Sequence, residues 1–92
     1  MSYTLQMTVE GTWLTAAANG TSAFVQLKDD GPVFVQLAQS APGTGSTEGL
    51  VLSRKGLQEV SFDVMEAGDE VYVRSNTGDT NVITVVSPGT AP

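Results

Sequence analysis

The chain has 92 residues, four Lys/Arg against ten Asp/Glu, a formal charge of −6, and neither cysteine nor histidine. That length sets one domain with a thin core, burying about 60–65% of the surface its unfolded form exposes. Without cysteine there are no disulfides or thiolate metal sites, and without histidine the commonest metal ligand and general base are gone. Four basic residues neutralise few phosphates, so nucleic acid and anionic membranes are disfavoured as partners.

The start, Met1-Ser2-Tyr3-Thr4-Leu5-Gln6, has no basic stretch followed by an apolar one, so no signal peptide is expected. No run approaches the ~18 apolar residues of a membrane helix. The expectation is a soluble product of the cytoplasm. With disulfides and metals removed, self-association or docking on a larger body is the remaining way to stabilise so small a core.

No segment shows sustained helical periodicity. Apolar residues fall in short runs rich in Val, Thr, Phe and Leu, broken by Gly, Pro, Asn and Asp. Strands are expected near 3–9, 12–17, 22–28, 33–39, 49–54, 57–65, 70–75 and 81–87. The one helix-like run, Leu14 to Ala18, is too short to stand alone. About eight short strands with frequent turns predict an all-β fold, a small antiparallel β-sandwich or a jelly-roll-like barrel. The domain spans 1–87, and 88–92 is expected as an exposed C-terminal arm.

Residues 22–39 read as a hairpin. Ala23, Val25 and Leu27 share one strand face, and Val33, Val35 and Leu37 share one face of the next. That parity demands an odd loop, either three residues, Asp29-Asp30-Gly31 with Gly31 in the left-handed position, or five with Pro32 closing the loop. Phe-Val-Gln-Leu occurs at 24–27 and again at 34–37, so the hairpin places Phe24, Gln26, Phe34 and Gln36 together on the opposite face. Such a half-apolar face calls for a cover, either a neighbouring subunit or the N-terminal strand.

Ser40 to Gly49 fits no regular element and reads as a long crossover or contact loop. A second hairpin is expected over Leu57–Ser75, with Val60, Phe62 and Val64 buried and Glu66-Ala67-Gly68-Asp69 as the turn. Val71 and Val73 alternate with Tyr72 and Arg74, which puts Tyr72 on the wetter face. Asn76-Thr77-Gly78-Asp79 turns the chain into the last strand. There Val82, Ile83, Val85 and Val86 do not alternate cleanly, so burial on both faces is expected.

No catalytic constellation stands out. The serines and threonines have no histidine to activate them, and Lys28 and Lys55 sit in no nucleophile context. Asp29 with Asp30, and Glu66 with Asp69 and Glu70, are carboxylates in turns, where acids cap backbone. Glu66, Asp69 and Asp79 are the set that neighbouring loops could bring around a cation, although no calcium-loop spacing is present. Gly43-Thr44-Gly45 lacks the lysine and helix of a phosphate loop. Arg54-Lys55 reads as a solvated turn. The residues name no cofactor, no metal site and no catalytic group. Trp13, which begins an apolar run, is assigned to core or interface, and Tyr72 is the better surface aromatic.

The layout of Gly31-Pro32-Val33-Phe34-Val35, the Ala41-Pro42 loop, Glu48-Gly49-Leu50-Val51-Leu52, Glu59-Val60-Ser61-Phe62, Ala67-Gly68-Asp69-Glu70-Val71-Tyr72-Val73-Arg74-Ser75 and Asn81-Val82-Ile83-Thr84-Val85 resembles small tailed-phage virion proteins. These are head decoration, cement or fibre-associated β-sandwiches. The resemblance covers about two-thirds of the chain and none of its first twenty residues, and it consists of strands and turns rather than a chemical signature. It implies a non-enzymatic structural protein, made in the host cytoplasm and located in the virion. Its partner would be the major capsid protein or another virion protein, and it would stabilise the assembled shell from outside. It also implies a homo-oligomer, a trimer by preference, with Phe24, Gln26, Phe34, Gln36, Tyr72 and Trp13 as interface candidates. The alternatives are a tail or fibre component, or a carbohydrate-binding or adhesin-like module using an exposed strip with Tyr72 and Phe34. An acidic inhibitor mimicking nucleic acid lacks the clustered acids it needs.

Overall fold

A computed structural model describes residues 3–18, 22–43, 49–76 and 78–88. Outside it lie 44–48 of the expected contact loop, Thr77 of the last turn, and 89–92 of the expected arm. Among the described residues the protein is all-β, with strands β1 (Tyr3–Val9), β2 (Leu14–Ala18), β3 (Ala23–Leu27), β4 (Val33–Ala38), β5 (Leu50–Leu52), β6 (Glu59–Phe62), β7 (Glu70–Ser75) and β8 (Asn81–Ser87).

The strands form two four-stranded sheets, β1-β8-β3-β6 and β2-β7-β4-β5. Pairing is antiparallel and nested: β1 with β8, β2 with β7, β3 with β6, β4 with β5. The chain thus behaves as one long hairpin rolled on itself, and the pairs β3–β8 and β4–β7 close the two sheets. This is the jelly-roll form of the sandwich.

Both hairpins expected from the sequence are overturned by this topology. β3 and β4 lie in different sheets, as do β6 and β7. The parity of Ala23-Val25-Leu27 with Val33-Val35-Leu37 is satisfied across the core, with each set pointing inward from its own sheet. Residues 28–32 do not fold back on themselves. They bond to the start of β8 and to the turn after β5: Val82 N–H donates to Asp29 Oδ2 at 3.0 Å, Gly31 N–H to Asn81 Oδ1 at 2.8 Å, and Arg54 N–H to the Asp30 carbonyl at 2.9 Å. Leu14–Ala18, helix-like in sequence, is strand β2, with a register shift between Thr15 and Ala17.

Turn chemistry follows the residues more closely. Gly31, Gly68 and Gly78 all take positive φ, at 78°, 91° and 89°. Asp69 N–H closes the 66–69 turn on the Glu66 carbonyl at 3.0 Å, and Asp79 N–H closes the last on Asn76 at 2.9 Å. At Gly31 a side chain has no room: a Cβ there would stand 2.6 Å from the Leu52 carbonyl oxygen.

The core between the sheets includes Val9, Val25, Val33, Val35, Leu52, Val71, Val73, Ile83 and Val85, all fully buried. Each such side chain stabilises the fold by roughly 1.5–3 kcal/mol. β8 does not bury both faces as its sequence suggested. Ile83 and Val85 point inward while Val86 is 39% exposed. Its other outward residues, Val82 and Thr84, are half-buried.

Candidate interaction surfaces

Opposed residues in an antiparallel pair share a face, so the register assigns every outward side chain. On the β1-β8-β3-β6 sheet one outward row is Thr4, Val86, Phe24 and Ser61, and the next is Gln6, Thr84, Gln26 and Glu59. On the β2-β7-β4-β5 sheet one outward row is Arg74, Phe34 and Val51, and the next is Thr15, Tyr72 and Gln36. The six interface candidates therefore divide. Phe24 and Gln26 lie on one outer face, while Phe34, Gln36 and Tyr72, with Trp13 just before β2, lie on the opposite one. No single neighbour can cover Phe24 and Phe34 through one patch, so the shared face expected from the sequence does not exist.

The second face is built around Arg74. Its guanidinium carbon lies 4.9 Å from the Phe34 ring centroid and 5.5 Å from that of Trp13. Arg74 also donates from Nη1 to the Ser75 carbonyl at 3.1 Å. Arg74, Phe34 and Tyr72 retain only 3%, 7% and 6% exposure. Trp13 Nε1–H donates to the Gly43 carbonyl at 3.1 Å, tying the loop after β4 to the turn before β2. The Tyr72 hydroxyl donates to Glu70 Oε2. That hydrogen bond, then burial and the carboxylate's charge, hold the Tyr72 phenol above its ordinary pKa. Tyr72 and Phe34 are thus committed to intramolecular packing and do not form the exposed aromatic strip expected of a glycan platform. Sequence reasoning missed Arg74. Its signal was an arginine next to the buried Val71 and Val73 of one strand, with tryptophan and phenylalanine elsewhere in the chain to receive it.

The first face differs in kind. Among the outward residues of β1, β8 and β3 there is no charge, and Glu59 on the edge strand β6 is the one carboxylate of the two rows above. The acids of this −6 chain sit mostly in connections: Asp29, Asp30, Asp63, Glu66, Asp69 and Asp79.

The third surface is the end of the sandwich formed by residues 28–32, 53–58, 76 and 78–80. It holds Lys28, Arg54 and Lys55, three of the four basic residues, the fourth being the buried Arg74. A shallow groove of about 440 Å³ is lined by Asp30, Gly31, Pro32, Ser53, Arg54 and Lys55. Arg54 bonds Asp30 at 2.8 Å with both side chains about three-quarters exposed, a pairing worth about 0–1 kcal/mol. Asp29 is occupied as a backbone cap.

Glu66 and Asp69 precede β7 and Asp79 follows it, so these three carboxylates lie at opposite ends of that strand and cannot share a cation. Asp69 Oδ2 instead accepts from Glu66 N–H at 2.8 Å. Among the described residues no cluster of three metal-ligating side chains occurs. No family model, curated protein or solved structure matches the chain.

Proposed function

We propose that this chain is a non-enzymatic structural protein of a tailed-phage particle, a decoration or cement protein that docks on the exterior of the assembled capsid and stabilises it. The observation that carries the reading is the uncharged outer face of β1-β8-β3. Cores of protein interfaces are depleted in charge and tolerate threonine, glutamine and scattered apolar groups that desolvate cheaply. A chain with −6 that keeps most of its acids in connections leaves one broad face able to meet a protein surface. The jelly-roll form itself is shared by shells and lectins, and adds no weight to either.

On this reading the face contacts the major capsid protein, and binding only to the assembled lattice stabilises that lattice by mass action. Copies repeated over a symmetric shell reinforce one another. The acidic connections discourage contact with the genome. The test is immunogold electron microscopy of purified particles with an antibody to this chain. Regular labelling of heads is the expected result. Labelling confined to tails moves the protein to a tail or fibre, and no labelling while the protein is abundant in the lysate overturns the virion reading.

A further inference from the structure

The four edge strands of the sandwich are not alike. β2 is interrupted by a register shift, β5 has three residues, and β6 has four and carries Glu59. Shortness, irregularity and charge are the devices by which natural sheets keep their edges from pairing with other chains. β1 has none of them. It runs seven residues, Tyr-Thr-Leu-Gln-Met-Thr-Val, with no charge, proline or glycine, and every residue from Tyr3 to Val9 is in unbroken register with β8. Among the described residues no strand pairs with its other side.

The sequence of β1 is also chemically symmetric about Gln6. In an antiparallel pairing of two copies centred there, Thr4 meets Thr8, Leu5 meets Met7, and Gln6 meets its own copy. Threonine pairs and apolar pairs are among the stabilising cross-strand combinations, and like charges directly opposed are what such pairing must avoid. A −6 chain offers few surfaces on which two copies meet without opposing like charges. β1 is such a surface.

We infer that the free edge of β1 is a self-association site, where a second copy of this chain adds its own β1 antiparallel about a twofold axis at Gln6. The two β1-β8-β3-β6 sheets then become one continuous eight-stranded sheet. A seven-residue strand is about 24 Å long, and pairing it supplies about six to eight backbone hydrogen bonds. β1 packs across the core on β7, and β2 on β8, so β1 and β2 share one flank. Leu5 and Met7 are only half-buried there, and Leu14 on β2 is 37% exposed. The twofold brings the two flanks together and covers these side chains. The site does not depend on the proposed function, although joining two uncharged faces would make docking on a lattice bivalent.

The experiment is sedimentation equilibrium of the purified chain alone, with a charge swap at the twofold. Gln6 points outward and is exposed, so Gln6→Lys and Gln6→Glu leave each protomer's melting transition nearly unchanged. The wild type is expected to be a dimer. Each variant alone opposes like charges at the axis and should dimerise at least about tenfold more weakly. An equimolar mixture should recover the dimer as a Lys–Glu heterodimer. If either Gln6 variant fails to fold, Thr8→Lys mixed with Thr4→Glu reads the same register. A wild type that stays monomeric up to millimolar concentration overturns the inference. So do variants that keep the wild-type mass, or a mixture that stays as dissociated as its components.

Discussion

Asn81 and Ser75, both buried, join the two sheets: Asn81 Nδ2 donates to Ser75 Oγ at 3.0 Å. The pair is extended on either side. Ser75 Oγ donates to the Val9 carbonyl at 2.9 Å, and Asn81 Oδ1 accepts from Gly31 N–H at 2.8 Å. One amide therefore ties the start of β8 to the end of β7 and to the crossing segment after β3. Asn81→Ala leaves the Gly31 donor and the Ser75 hydroxyl short of partners in a buried place. The expected loss is about 2–3 kcal/mol, read as a lower urea midpoint with an unchanged m-value. A loss under about 0.5 kcal/mol would mean that water replaces the amide without penalty.

Gly31 and Gly49 occupy positions where neighbouring backbone comes too close for a side chain. At Gly49, with φ 99°, a Cβ would stand 2.4 Å from the Val35 carbonyl oxygen. Gly78 has a similar φ of 89° and open space around it. Gly78→Ala should cost only the left-handed conformation, about 1–2 kcal/mol. Gly31→Ala and Gly49→Ala should cost clearly more, because β5 must also move off β4. Comparing the thermal midpoints of the three variants checks the order.

Arg74 and the chain's single tryptophan, Trp13, are coupled by the stacking described above. Arg74→Lys keeps the charge but loses the planar group that lies against two rings, and lysine is a poor substitute at such a site. A double-mutant cycle of Arg74→Lys with Trp13→Phe should give a coupling of about 0.5–2 kcal/mol. Trp13 fluorescence offers an independent reading, since Arg74→Lys changes its environment in the native state alone. Identical native spectra for the wild type and Arg74→Lys would contradict the contact.

Tyr72 makes stability sensitive to high pH. Its phenol is held above its ordinary pKa, chiefly by donating to Glu70, whereas an unfolded tyrosine ionises near about 10. Above that value the native state binds more protons than the unfolded state, so the unfolding free energy falls as pH rises. The contribution is whole below the unfolded pKa and is lost as pH climbs through the native one. Tyr72→Phe removes this component, so its stability should decline less steeply than wild type above pH about 10. Parallel declines for the two proteins would show that Tyr72 is not the responsive group.

Much of this molecule was legible in local sequence. Short runs of strand-forming residues bounded by turn residues mark the strands, with β1, β7 and β8 at their observed ends, because extended backbone favours Val, Thr, Phe and Tyr and turns favour Gly, Asn and Asp. Gly31, Gly68 and Gly78 mark turns because a left-handed backbone favours glycine. Which strands pair was not legible. Alternation states that Val25 and Val35 point inward but not from which sheet, and a turn and a sheet-to-sheet crossing use the same Asp-Gly-Pro residues. The same ambiguity grouped Phe24 with Phe34, which tertiary structure sets on opposite faces. Arg74 between two rings, and Asn81 bridging to Ser75, are contacts between residues far apart in the chain or in separate sheets. Short apolar runs broken by turn residues determined a thin all-β fold, a sandwich or a jelly-roll-like barrel, since local preferences act residue by residue. Burying both sheets against each other selected the nested pairing, because only the assembled core decides which edges and faces are left open.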